Sequence, residues 1–411
     1  MNDRHEIASG IDPKSFTIVI PALNEEQAIG ETIARCLAAR SGILEATDLE
    51  DIQIVAVSDG STDRTVEIAQ GFDEVKTIVF DKNRGYGAAI KEGWRQSNSL
   101  FLGFLDADGT CDPTYFAEMC RIAIEDSADI VLGSRLGPES KMPRIRRLGN
   151  RFYALVLGFF CGRQVSDSAS GMRVVRRTCL QYLSPLPDGL HFTPSMSARA
   201  LLNNLRIIEI PMRYEERIGA SKLHIVRDGI QFLRTILGSV LSYRPERFLL
   251  LGFSLCALLI VLLAASPTEF YLQNRRLEEW MIYRFVACSL LGAFGLALLG
   301  ATALVNQMAQ FSRRRPDAGM FWPSITAGLF SGVSLFVIML ALLAMSIGFI
   351  WPGIVEYATT RQVSLHWSRL TAGAFCMLSM LQMGIFALLI KVVSIWAYQA
   401  RESGGWDTDD G

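Results

Sequence analysis

Two aspartates separated by a single alanine, Asp106-Ala107-Asp108, follow directly on the apolar run Leu100 to Leu105. Such a run reads as a buried strand, so the pair falls at a strand's carboxyl end, where open α/β sheets bind their ligands. Two hard oxygen ligands this close suit Mg²⁺ or Mn²⁺ bridged to a diphosphate. A lone Asp-x-Asp arises by chance in a chain of 411 residues, so its weight comes from the company it keeps.

That company lies upstream, in order. Phe16 to Ile20 reads as a strand running into Pro21-Ala22-Leu23-Asn24-Glu25 and a helix to about Ala39, for which Asn24 offers an N-cap. Ile52 to Val57 ends at Ser58-Asp59-Gly60-Ser61-Thr62-Asp63, and a helix follows through Ala69. Val75 to Phe80 leads into Asn83-Arg84-Gly85-Tyr86-Gly87 and another helix. Strands alternating with helices predict an α/β domain with a mostly parallel sheet, helices on both faces and all four loops on one edge. Glu25 and Asp59 then offer carboxylates to a ribose or to base N–H groups, while Gly85 and Gly87 let backbone approach a ligand closely. Glu25 has an alternative use as a first-turn helix charge. Asp63 reads as a turn and cap residue.

Half of the residues are hydrophobic, an excess that is concentrated beyond Arg247. Four stretches there lack charge for long enough to cross a bilayer: Phe248 to Ala265, Phe285 to Phe311, Phe321 to Trp351 and Thr371 to Ile390. Pro323 and Pro352 stand near the ends of the third. Arg244 and Arg247 precede the first, and Arg313, Arg314 and Arg315 fall between the second and third. Positive-inside bias therefore puts the N-terminal domain and both termini in the cytoplasm. The polar start, Met1 to Lys14, does not read as a secretory signal. Val226, Ile230, Leu233, Ile236, Leu237, Val240 and Leu241 recur at helical spacing before the first span. They suit an interfacial amphipathic helix, packing on the soluble domain, or both. The expected organisation is a tail over 1–15, an α/β domain over 16–223, a juxtamembrane helical region over 224–246, a four-helix transmembrane domain over 247–400 and a tail over 401–411.

Formal net charge is −1, which gives no reason to expect a nucleic-acid partner. The local balance differs. Between Arg135 and Arg177 ten lysines and arginines face only Glu139 and Asp167, a strip that expects phosphate or a lipid surface, or else forms a solvated basic face. Eight scattered cysteines contain no C-x-x-C pair and indicate neither a zinc site nor a disulfide framework.

Taken in order, these motifs resemble the family 2 glycosyltransferases of the GT-A fold. The branch they are similar to is that of dolichol-phosphate mannose synthase and the polyprenyl-phosphate glycosyltransferases. The likeness runs from about Phe16 to Tyr243 and includes Gly133-Ser134-Arg135, Asp167 with Ser170-Gly171-Met172-Arg173, and Arg217-Ile218-Gly219-Ala220-Ser221-Lys222-Leu223. It implies hexose transfer from a UDP- or GDP-sugar to a polyprenyl (undecaprenyl or dolichyl) phosphate, with inversion and with Mg²⁺ or Mn²⁺. By that resemblance Pro21, Asn24, Glu25, Asp59, Gly85, Gly87, Asp106 and Ala107 would hold the donor, and Asp106 and Asp108 the metal. Arg135, Arg147, Arg217, Ser221 and Lys222 would hold the acceptor phosphate, with Asp106, Asp108, Arg135 and Lys222 as the catalytic set. A homo-oligomer is compatible with it. The chain departs from the pattern at Thr110, where relatives often have Gln, and at Ser195, where many have Glu. The rival readings are a processive polysaccharide synthase, whose Gln-x-x-Arg-Trp motif this sequence lacks, and a non-catalytic nucleotide-binding membrane protein.

Overall fold

The computed structural model describes residues 10–137, 140–218, 225–312, 328–330 and 332–403. The chain divides into two compact units, Met1–Ser242 and Tyr243–Gly411.

In the first unit the elements follow as β1 (Asp12–Ala22), α1 (Ile29–Ala46), β2 (Asp51–Ser58), α2 (Thr65–Gln70), β3 (Val75–Val79), α3 (Tyr86–Arg95) and β4 (Ser99–Phe104). Then come α4 (Tyr115–Glu125), β5 (Ile130–Ser134), α5 (Arg144–Cys161), β6 (Arg173–Arg176), α6 (Leu180–Leu183), α7 (Phe192–Leu202), β7 (Ile207–Pro211) and α8 (Ile225–Tyr243). The strands form one sheet in the order β3-β2-β1-β4-β6-β5-β7. Only β6 runs antiparallel to its neighbours. This is the mostly parallel sheet that the order of strands and loops implies.

Both faces of the sheet are covered, which is why β4 is buried along its whole length and reads as continuous apolar sequence. On one face Phe16, Ile18 and Ile20 of β1 pack with Ile29 and Ile33 of α1 and Phe116 of α4. On the other, Val19 meets Trp94 of α3, Phe104 and Phe192 of α7. The three rings of that second group lie 5.8–6.0 Å apart, in tilted or edge-on contacts suited to aromatic quadrupoles.

Some expected boundaries shift. The helix after β1 starts at Ile29, not at Asn24, which adopts a left-handed φ of 49°. Its side-chain oxygen accepts the Thr62 N–H at 2.7 Å, so Asn24 ties two loops together in place of capping a helix. The basic strip is also divided by the fold. Arg173 is fully buried and donates to the Ser170 and Ser168 carbonyls, while Arg177 donates to the Ser99 carbonyl. Burial lowers Arg173 to about 10. The stripe on α8 is split as well, with Ile236 and Val240 buried and Ile230 and Leu241 exposed.

The second unit contains α9 (Pro245–Asn274), α10 (Ile282–Ser312), α11 (Gly332–Thr360) and α12 (Trp367–Ser403). Among the described residues, four helical stretches are long and apolar enough to cross a membrane: Pro245–Asn274, Glu279–Met308, Gly332–Thr360 and Trp367–Trp396. Their outward faces carry leucine, valine and phenylalanine, as a lipid-facing surface requires. Pro352 lies inside α11, which continues eight residues past it to Thr360. Arg313, Arg314, Arg315 and Pro323 lie outside the described residues. All eight cysteines are free.

Candidate active site

Strand register brings the polar loops to one edge. Pro21 and Ala22 pair with Val57 and Ser58, the Asp59 N–H donates to the Ala22 carbonyl at 2.8 Å, and the Leu105 N–H to the Val19 carbonyl at 3.1 Å. The strands therefore end level, and their loops open into one cleft of about 520 Å³. Pro21, Glu25, Asp59, Gly85, Asp106 and Ala107 of the expected donor set line it, with Asp108. Arg135 and Arg217, expected on the acceptor side, line the same cleft.

The carboxylate pair is held firmly. Asp106 Oδ1 accepts the Tyr86 hydroxyl at 2.7 Å, and Gly171 backs on to the same carboxylate so closely that a Cβ there would overlap it. Burial, then the charge of Asp108, push Asp106 up to about 7, while the Tyr86 bond pulls the other way. Burial together with the Asp106 charge raises the Tyr86 phenol well above its ordinary value, so it remains a donor at neutral pH. Asp108 Oδ1 accepts the Thr110 hydroxyl at 2.6 Å and the Thr110 N–H at 3.2 Å. The Thr32 hydroxyl fixes the intervening Ala107 carbonyl at 3.1 Å.

Arg217 bridges the cleft's acidic wall. Its guanidinium lies 2.6 Å from Glu25 Oε1 and 3.1 Å from Asp108 Oδ2. Backbone bonds explain its placement: the Glu215 N–H donates to the Thr110 carbonyl at 3.0 Å and the Ile218 N–H to the Asp108 carbonyl at 3.2 Å. The segment that leads on to Ser221 and Lys222 is thus laid against the aspartate pair. Ser221 and Lys222 themselves lie outside the described residues.

Asp59 stabilises the third loop. Its carboxylate accepts the Arg84 N–H at 2.6 Å and the Gly85 N–H at 2.9 Å. Burial raises Asp59 above the usual carboxylate range, against the pull of those two donors. Gly85 has a φ of 108°, and a Cβ there would strike the Asp188 carbonyl, so this turn requires glycine. Asp63 behaves as a turn residue, accepting the Thr65 N–H at 3.0 Å and the Glu26 N–H at 3.1 Å.

Arg135 is anchored from beneath. Its Nε and Nη2 donate to the two oxygens of Asp167 at 2.7 and 2.9 Å, and Nη2 also reaches the Ala169 carbonyl at 2.6 Å. Asn150 adds a bond to Asp167 at 2.9 Å. Burial works against both charges, and their mutual attraction overrides it, raising Arg135 and lowering Asp167. These bonds use Nε and Nη2, and the guanidinium lies over the Tyr214 ring, 5.7 Å from its centroid.

Three expected residues do not line the cleft. Asn24 is bound to Thr62, and Gly87 packs against the Pro187 carbonyl and the Phe192 ring. Arg147 Nη2 donates to the Ser140 carbonyl at 3.1 Å, because helical geometry turns it away from the wall that Arg146 faces. Arg146, Tyr86, Asn150 and Gly171 also line the cleft, beyond the residues that the sequence motifs point to. Tyr86 and Gly171 each lie inside a motif whose neighbouring residues carry the chemical signal.

The chemistry of the donor set decides what cation it could hold. Among the described residues no group of three or more His, Cys, Asp or Glu side chains could hold a metal ion. Two carboxylates suffice for Mg²⁺ or Mn²⁺ when a diphosphate and water complete the shell. Asp106 and Asp108 therefore fit a cation shared with a diphosphate. Arg217 supplies positive charge to Asp108 at the same place.

Residues 17–183 match the family model described as glycosyl transferase family 2. The low-salt glycan biosynthesis hexosyltransferase Agl6 of Haloferax volcanii is 32% identical over 264 residues, covering 62% of this chain and 60% of that protein. A dolichyl-phosphate hexose transferase of the same organism is 30% identical over 231 residues, covering 56% of this chain and 95% of that protein. Among solved structures, glucosyl-3-phosphoglycerate synthase of Mycobacterium tuberculosis superposes with a TM-score of 0.45 at 18% identity, covering 55% of this chain and 80% of that one.

Proposed function

The chain belongs to glycosyl transferase family 2, and from that premise we propose that it transfers a hexose from a UDP- or GDP-sugar to a polyprenyl phosphate at the cytoplasmic membrane face. One observation carries the reading. A single cleft is lined both by the carboxylates Glu25, Asp106 and Asp108 and by the guanidiniums Arg135, Arg146 and Arg217. Carboxylates for a cation-bound diphosphate and guanidiniums for an anionic acceptor therefore share one site.

The acceptor explains what the site can do without. A phosphate monoester loses its second proton near pH 6, so it is already a nucleophile at neutral pH. No general base is needed, in contrast to a sugar hydroxyl. Ser195, where many relatives have a carboxylate, is compatible with that chemistry. Arg135 would present its guanidinium to the acceptor phosphate while Asp167 fixes its plane. Arg217 would leave Asp108 for the phosphate as the donor arrives, joined by Ser221 and Lys222. A divalent cation on Asp106 and Asp108 would neutralise the departing diphosphate. Attack in line with the leaving group inverts the anomeric centre.

The membrane setting supports a lipid acceptor. Along α5 the residues Ile145, Leu148, Phe152, Leu155 and Phe159 recur at helical spacing and all are exposed, Leu148 by 69%. Arg144 and Arg151 flank this stripe and are exposed too. A basic helix with an exposed apolar stripe suits the headgroup layer, and α5 also lines the cleft. The positive residues Arg244 and Arg247 at the start of the first span favour a cytoplasmic position for the first unit.

Membranes containing the protein, given Mg²⁺ or Mn²⁺, a short polyprenyl phosphate and a panel of nucleotide sugars, test the proposal. A hexosyl-phosphoprenol in the butanol extract, identified by mass spectrometry, is the expected product. No lipid product with any donor would refute it.

A further inference from the structure

Tyr86 is the first residue of α3, and its surroundings leave its ring little freedom. Asp59 clamps the two preceding backbone N–H groups, and the ring packs edge-on against Phe104 at 6.4 Å and 84°. Phe104 ends β4, two residues before Asp106. The hydroxyl donates to Asp106 Oδ1 at 2.7 Å, while the lack of a Cβ at Gly171 leaves room for Oδ2, which such an atom would overlap. Asp106 receives no hydrogen bond from an arginine among the described residues, whereas Asp108 has Arg217. Tyr86 is thus the side chain that sets which way Asp106 points.

We propose that Tyr86 is a positioning residue for cation binding: by taking Oδ1 it makes Asp106 a one-oxygen ligand of fixed direction. The same hydroxyl joins the Asp59 loop, on the nucleoside side, to the carboxylate pair. This rests on the reading of Asp106 and Asp108 as cation ligands. Groups that orient a metal ligand typically change metal affinity by about 10- to 100-fold when lost.

The test is Mn²⁺ binding followed by electron paramagnetic resonance on the full-length protein, with UDP and GDP as probes, in wild type, Tyr86→Phe, Asp106→Asn and the double variant. Tyr86→Phe is expected to raise the Mn²⁺ Kd about 10-fold. The double variant should then match Asp106→Asn, because both changes act through one carboxylate. Metal-free binding of the nucleoside diphosphate should be unchanged, which separates lost orientation from a collapsed site. A Kd for Tyr86→Phe within about twofold of wild type would overturn the proposal, since that is well below the loss expected of an orienting group. So would an equal loss in the Asp106→Asn background, or a joint loss of metal-free nucleotide binding. Should the wild type bind no Mn²⁺ with either probe, the reading of the aspartate pair beneath it fails instead.

Discussion

Arg217 Nη1 lies 3.1 Å from Asp108 Oδ2, so a residue proposed for the acceptor side neutralises one proposed for the leaving diphosphate. A divalent cation must displace that guanidinium to use the oxygen. Arg217→Ala should therefore bind free Mn²⁺ more tightly, by roughly three- to tenfold, since a partly exposed ion pair contributes on the order of 1 kcal/mol. The same variant should transfer more slowly, with the larger loss in apparent affinity for the lipid phosphate. Cation titration beside acceptor titration separates the two effects.

Asp106 sits near pH 7 in the free protein because burial and Asp108 disfavour its charge. Cation binding needs the carboxylate, so it must release a proton as pH falls below that value. At limiting Mn²⁺ the apparent affinity should rise between about pH 6 and 8 and flatten above, since a metal ligand must be deprotonated to bind. Saturating Mn²⁺ should shift the rise to lower pH. A flat profile for Mn²⁺ binding across that window would contradict the assignment.

Asp167→Ala should be structurally costly. Asp167 is wholly buried and holds Arg135 at two points, and removing one partner of such a pair costs about 3–5 kcal/mol. Because the folded pair depresses Asp167, its stabilisation is complete above the ordinary carboxylate range and is lost as pH falls through the lowered value. A lower melting temperature for the purified variant at neutral pH is the readout.

Leu148→Glu with Leu155→Glu on α5 should weaken use of long polyprenyl phosphates far more than use of short, water-soluble ones. Each charge opposes insertion of an exposed apolar stripe into the headgroup layer. Equal losses for both acceptor lengths would indicate that α5 does not meet lipid.

The sheet was legible because β1, β2 and β4 each end in a polar loop and the periodicity between them is helical. That pattern brought Glu25, Asp59, Asp106 and Asp108 to one edge, where the cleft lies. Less legible was how residues within one motif divide their tasks. Arg146 and Arg147 are neighbours in sequence, yet only Arg146 lines the cleft, since adjacent helical residues point about 100° apart. Arg173 and Arg177 read alike within the basic strip, yet β6 buries Arg173 and the turn after it binds Arg177 to the Ser99 carbonyl. Tyr86 carried no signal of its own, because a tyrosine at a helix start is ordinary. Its task depends on Asp106, twenty residues away.

The central claim is that an already ionised phosphate attacks a hexose whose diphosphate is drawn off at the aspartate pair. Its most direct measurement compares a polyprenyl phosphate with the corresponding polyprenol as acceptor, using wild type and Asp108→Asn at neutral pH. Hexosylated lipid should form from the phosphate alone and vanish in Asp108→Asn, with the variant still inserted in membranes. Comparable transfer to the alcohol, or an organic-insoluble sugar polymer in place of a lipid, would contradict the account.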